Sequence, residues 1–152
     1  MFRQFSFAEG RMAYNVTPVI NTVSNFYLIR TEGACFLIDT GASFSRGLLK
    51  KALAAAGCTP DNLKMVVITH ADADHTGNIG YLRKQYGLKV AMHRAEQTAA
   101  QAASMKLNRK TRFSGFSGAL MVLAGKLMSR PFQPDLLLAD DEDLSPYGFD
   151  AK

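Results

Sequence analysis

Cysteine is scarce in this chain: Cys35 and Cys58 are the two thiols among 152 residues. One falls in a predicted strand and the other in a loop, which is no disulfide framework, so reduced thiols are the default. Cys58 also lacks a partner at metal-ligand spacing, which argues against a thiolate site. Long apolar runs are missing as well. The opening Met1-Phe2-Arg3-Gln4-Phe5-Ser6-Phe7 carries charge early and has no apolar h-region, and no stretch is long enough to cross a bilayer. A cytoplasmic protein without stable membrane insertion is the expectation. There are no internal repeats, and no serine stands in a G-x-S-x-G elbow. Serine or cysteine triads are therefore not expected. Histidine is the last scarcity: there are three, and two of them lie five residues apart.

What is present suffices for one domain over 1–152: 16.6 kDa, 47% hydrophobic residues and a net charge of +5. Residues 2–7 alternate apolar and polar, and 25–30 and 34–38 flank Thr31-Glu32-Gly33 as a hairpin. Helical apolar spacing follows over 45–56, with Gly57 as its stop. The pattern then reads strand 63–69, helix 76–86, strand 88–92, helix 94–103. Hairpins followed by alternating strands and helices predict an α/β (α+β) fold with helices covering sheet.

The chemistry concentrates in Val66-Val67-Ile68-Thr69-His70-Ala71-Asp72-Ala73-Asp74-His75-Thr76-Gly77-Asn78. A buried strand ends at Thr69, and the next six residues hold two imidazoles and two carboxylates, the N and O donors of first-row metals. Sites of α/β proteins lie at such strand ends. His70 and Asp72 point the same way if the backbone is extended, whereas Asp74 and His75 diverge unless the chain turns. The simplest geometry is two ligand pairs for two neighbouring metals. The bland alternative is a hydrated loop whose Asp and Thr side chains cap a helix.

This loop, with Leu37-Ile38-Asp39-Thr40-Gly41 upstream, resembles the metallo-β-lactamase fold hydrolases, whose signature is HxHxDH after a strand and whose earlier strand ends in an LIDTG-like turn. Here the signature reads HxDxDH. The resemblance implies an αββα sandwich, incomplete at the C-terminus, and two divalent metal ions, zinc first and iron or manganese after it, since an oxygen ligand at Asp72 shifts preference toward harder metals. His70 and Asp72 would hold the first metal and Asp74 and His75 the second. Asp39 would steady the ligand loop, and Asp74 would orient the attacking water. The implied activity is metal-dependent hydrolysis of an ester, thioester, amide or phosphoester in a small-molecule substrate; the residues that bind the substrate are not readable. The alternative is an inactive metallo-β-lactamase-like fragment serving as a binding or assembly module.

The rest of the chain bears on that choice. His93 ends a strand, as a site residue would, but it also suits a cap at a strand-to-helix junction. From 97 to 134 there are six basic residues and no acidic one, with an apolar helix candidate over 119–128. Core packing or a lid-like insertion is the favoured reading. Basic residues are too sparse there for a strong lipid-binding helix, and no recognised nucleic-acid motif accompanies them, so no nucleic-acid partner is expected. Leu136-Leu137-Leu138 reads as a strand, and Asp140-Asp141-Glu142-Asp143 as a solvated bend. Family members go on to further histidine and aspartate ligands beyond the position corresponding to Lys152, and the strands that carry them. Without those strands an apolar sheet surface is left open, which favours a homo-oligomer.

Overall fold

The computed structural model describes residues 5–9, 12–102 and 130–148. Seven strands among them form one sheet in sequence order: β1 (Phe5–Glu9), β2 (Met12–Val19), β3 (Phe26–Arg30), β4 (Cys35–Ile38), β5 (Leu63–Ile68), β6 (Lys89–His93) and β7 (Leu136–Leu138). β1 to β4 run antiparallel and β4 to β7 parallel. Short connections suffice for the first half, while each parallel step needs a crossover that carries helix. The parallel half therefore alternates with α1 (Arg46–Ala55), α2 (Ala73–Thr76), α3 (Ile79–Tyr86) and α4 (Gln97–Ala102).

Side-chain spacing decides which face each element buries. In α1 the buried residues are Leu49, Ala52 and Leu53; in α3 they are Ile79 and Leu82. These i, i+3, i+4 stripes meet Leu28, Leu37, Val66, Ile68, Val90 and Met92 from the sheet in one continuous core. Alternate strand residues face the other way, where Ile29, Phe36, Met65 and Ala91 pack with Leu138 and Leu144 in a smaller cluster. Both faces of the central strands are thus apolar, which is why they read as near-continuous hydrophobic runs. The second sheet of an αββα sandwich is not among the described residues.

Three departures from the sequence pattern have local causes. Strand β2 was not anticipated, because Asn15 and Pro18 break its alternation. Pro18 nevertheless keeps its place opposite Tyr27 of β3. The helix expected over 76–86 starts only at Ile79, with α2 as a separate turn before it, because Gly77 and Asn78 are used to dock the loop. The basic segment begins inside the fold: Ala99 and Ala100 of α4 are buried in the core. Residues 103–129, with the helix candidate over 119–128 and most of the lid-like insertion, lie outside the described residues. None of the described helices is long and apolar enough to cross a membrane.

Candidate metal centre

Parallel pairing of β4, β5, β6 and β7 puts their carboxyl ends on one edge of the sheet. Asp39 follows β4, the loop 69–78 follows β5, and His93 ends β6. Asp39 adopts φ 61°, a left-handed conformation that Asp tolerates better than most residues. In that pose its carboxylate reaches across to β5. Oδ1 accepts the Thr69 N–H at 2.9 Å, and Oδ2 accepts the Thr69 hydroxyl at 2.8 Å and His75 Nδ1–H at 2.7 Å.

These bonds fix both imidazoles. An ionised carboxylate only accepts, so Thr69 spends its single hydroxyl proton on Asp39 and must accept at Oγ1 from His70 Nδ1, 3.0 Å away. His75 likewise donates from Nδ1. Each ring therefore leaves Nε2 for the mouth of the loop, and each Nε2 faces a carboxylate: His70 to Asp72 Oδ2 at 3.6 Å, His75 to Asp74 Oδ2 at 3.5 Å. The ring centroids stand 4.0 Å apart. Hydrogen bonding to Asp39 raises the His75 pKa above its ordinary 6.5; partial burial opposes this, and the charges of Asp39, Asp74 and Asp72 add to it.

The loop is held from behind by residues that the sequence did not flag for this purpose. Asn78, fully buried, donates from Nδ2 to the carbonyls of Thr40 and Ala42 at 2.9 Å and of Gly41 at 3.3 Å, and its Oδ1 accepts from Arg46 Nε. Thr40 donates through both N–H and hydroxyl to the His75 carbonyl, each at 2.8 Å. Ser24 donates to the Asp74 carbonyl at 2.5 Å, and Glu96, after β6, accepts the Ala71 N–H at 3.2 Å. Gly77 has no room for a side chain: a Cβ there would lie 2.7 Å from the Ala42 carbonyl carbon and 2.9 Å from the Ala73 oxygen. His93 behaves as a cap, accepting the Ala95 N–H at Nδ1, while its Nε2 lies 3.4 Å from the exposed Asp140. The acidic bend caps itself, Asp143 accepting from Ser145 and Glu142 from Ala139.

The donor chemistry can be tested against a metal. Two ligands of one tetrahedral ion, each about 2.1 Å from it, stand about 3.4 Å apart. The N···O separations of 3.5 and 3.6 Å match that spacing, and both imidazoles present a lone pair rather than an N–H once His75 is neutral. Two pairs fit two divalent ions with two ligands each. No group of three such side chains able to hold a single ion is found among the described residues.

A sequence model of the metallo-β-lactamase superfamily matches residues 19–147, which is most of the chain. The chain belongs to the metallo-β-lactamase superfamily. Metallo-beta-lactamase domain-containing protein 1 of Mus musculus is 48% identical over 44 residues, 29% of this chain and 17% of that protein. Among solved structures, the subclass B3 metallo-β-lactamase BJP-1 of Bradyrhizobium japonicum superposes with a TM-score of 0.64 at 20% identity, over 84% of this chain and 43% of that one. The Cronobacter sakazakii metallo-β-lactamase with a HARLDQ motif gives 0.63 at 19% identity, over 84% and 44%. At such identities the likeness is one of fold. The matches thus cover less than half the length of those enzymes, and the 44-residue match about a sixth of the mouse protein.

Proposed function

We propose that this chain carries the metal-binding loop of a hydrolase that uses two divalent ions, zinc in the first instance, to cleave an ester, thioester, amide or phosphoester. The observation that carries this reading is the paired engagement of both Nδ1 atoms, which aims His70 Nε2 and His75 Nε2 at carboxylates at the strand mouth. His70 with Asp72 would hold one ion, and Asp74 with His75 the other. Bound there, divalent ions supply Lewis-acid polarisation of the scissile oxygen and bring the pKa of water close to neutral.

The chain's own groups then have separable tasks. Asp39 keeps the His75 proton on Nδ1, so that the lone pair stays on Nε2. Thr69 does the same for His70. Asp74, the more exposed of the loop carboxylates with a side chain 26% accessible, orients the attacking water. Thr40 and Ser24 hold the backbone that carries it. Membership of the superfamily and the reach of the loop's donors support the reaction class; the substrate within it is open.

A panel of nitrophenyl ester, thioester, β-lactam and bis(nitrophenyl) phosphate tests the reading, with metal removed and then restored. Turnover of at least one substrate is expected only after restoration, and Asp74→Asn is expected to lower it by about 100-fold or more. A rate indifferent to metal, or unchanged in D74N, would overturn the proposal.

A further inference from the structure

Beside α3, on the side of the core helices, lies a cavity of about 810 Å³ bounded by the start of α1 and by residues 130–133. None of the four loop donors lines it. Its walls include four cationic side chains, Arg46, Arg83, Lys84 and Arg130, together with the rings of Tyr81 and Phe132, and no carboxylate among the described residues. The volume falls in the range of small-molecule sites, roughly 300–1,000 Å³.

The cations are not equivalent. Arg83 is committed, donating to Asp135 Oδ2 and to the Gln133 carbonyl at 2.6 Å each. No ion pair among the described residues includes Arg46, Lys84 or Arg130. Arg46 is nevertheless fixed in place. Its Nε donates to Asn78 Oδ1 at 3.1 Å, and its guanidinium carbon sits 5.3 Å from the centre of the Tyr81 ring. A guanidinium held by its Nε and by an aromatic face keeps its terminal NH2 groups as a preorganised donor set, which matches phosphate oxygens better than a mobile ammonium does. Three cations with no carboxylate partner among the described residues repel each other around one concave space, and a dianion relieves that repulsion. Arg130 comes from the acid-free stretch 97–134.

We propose that this cavity, which shares Thr76 and Gly77 with the back of the metal loop but none of its four donors, is a second binding site, for a small molecule bearing a phosphate group beside an aromatic or apolar portion. The phosphate meets Arg46, Lys84 and Arg130, and the apolar portion lies against Phe132. The proposal stands whether or not the metal loop is catalytic.

Calorimetric titration of the metal-free full chain with phenyl phosphate, inorganic phosphate and phenol tests it. Phenyl phosphate is expected to bind, inorganic phosphate to bind about tenfold more weakly for want of a buried ring, and phenol not at all. The double variant Lys84→Gln, Arg130→Gln changes two exposed side chains and is expected to keep the wild-type melting temperature while weakening phenyl phosphate about tenfold or more. The double variant His70→Ala, Asp74→Ala is expected to bind as wild type does. Absence of phenyl phosphate binding, equal binding by phenol, indifference to the loss of Lys84 and Arg130, or loss of binding in the H70A/D74A variant would each overturn it.

Discussion

Asp39 holds a backbone conformation that costs an L-residue about 1–2 kcal/mol, and its carboxylate accepts three hydrogen bonds that need that conformation. Replacing it with Asn leaves an amide NH2 facing either Thr69 N–H or the His75 and Thr69 donors. D39N is therefore expected to bring the His75 pKa of the metal-free protein down toward 6.5 and to weaken metal binding by about 10–100-fold, read by NMR titration and by competition with a chelating dye. The pH consequence follows from the sign of the shift. Because the folded pKa is raised, the stabilisation is complete below 6.5 and is lost as pH rises through the folded value. Denaturant midpoints of metal-free protein should fall over that window in wild type and not in D39N. Gly77 gives a second test, since its neighbours at the Cβ position are backbone atoms that cannot turn aside. Gly77→Ala is expected to cost about 1–3 kcal/mol or more, seen as a lower melting temperature. Legibility at this scale was uneven. The four loop donors and Asp39 sit in short motifs, and the structure does bring them together. Asn78 and Glu96 gave no signal of their roles, because these arise only when segments 36–38 and 25 residues apart are brought together.

Elements were legible where one period ruled and not where docking interrupted it. α1, β3, β4, β5 and β6 follow their apolar spacing to within a residue or two, whereas β2 hides behind Asn15 and Pro18. The helix over 76–86 is cut because Asn78 spends its side chain on the β4 turn. β7 is too short to hold itself and depends on a specific staple. Asp135, just before it, accepts the Val90 N–H at 2.8 Å and the Arg83 guanidinium at 2.6 Å, while its own N–H donates to the Val90 carbonyl. Burial pushes the Asp135 carboxyl up, but those donors outweigh it and hold the pKa below the ordinary 3.8. Its contribution is thus present above that value and lost as pH falls through the folded one. Asp135→Ala is expected to cost about 1 kcal/mol, a modest figure because both partners are partly exposed and screened, and to flatten the acid limb of a stability–pH curve. An unchanged acid limb would show that the staple is not formed in solution.

For the whole molecule, the arrangement of an antiparallel half feeding a parallel half explains why the site stands where it does. The parallel strands β4 to β7 put their carboxyl ends on one edge, β2 runs the same way so that Ser24 after it also reaches the loop, and the loop after β5, with strands on both sides, is flanked by Asp39 and Glu96. The fold class was readable because hairpins and crossovers differ in period and length; the order of strands in the sheet was not, since pairing partners leave no mark in a single sequence. Superfamily membership rests on a match that includes both motifs, residues 39–41 and 70–77. The reading as a two-metal loop rests on the pairing of Nε2 atoms with carboxylates, and anomalous diffraction from crystals of the full chain grown with zinc measures that directly. Two anomalous peaks are expected, one between His70 Nε2 and Asp72 and one between Asp74 and His75 Nε2, with the second lost in His75→Ala. Zinc bound elsewhere, or an empty loop at saturating metal, would contradict the account.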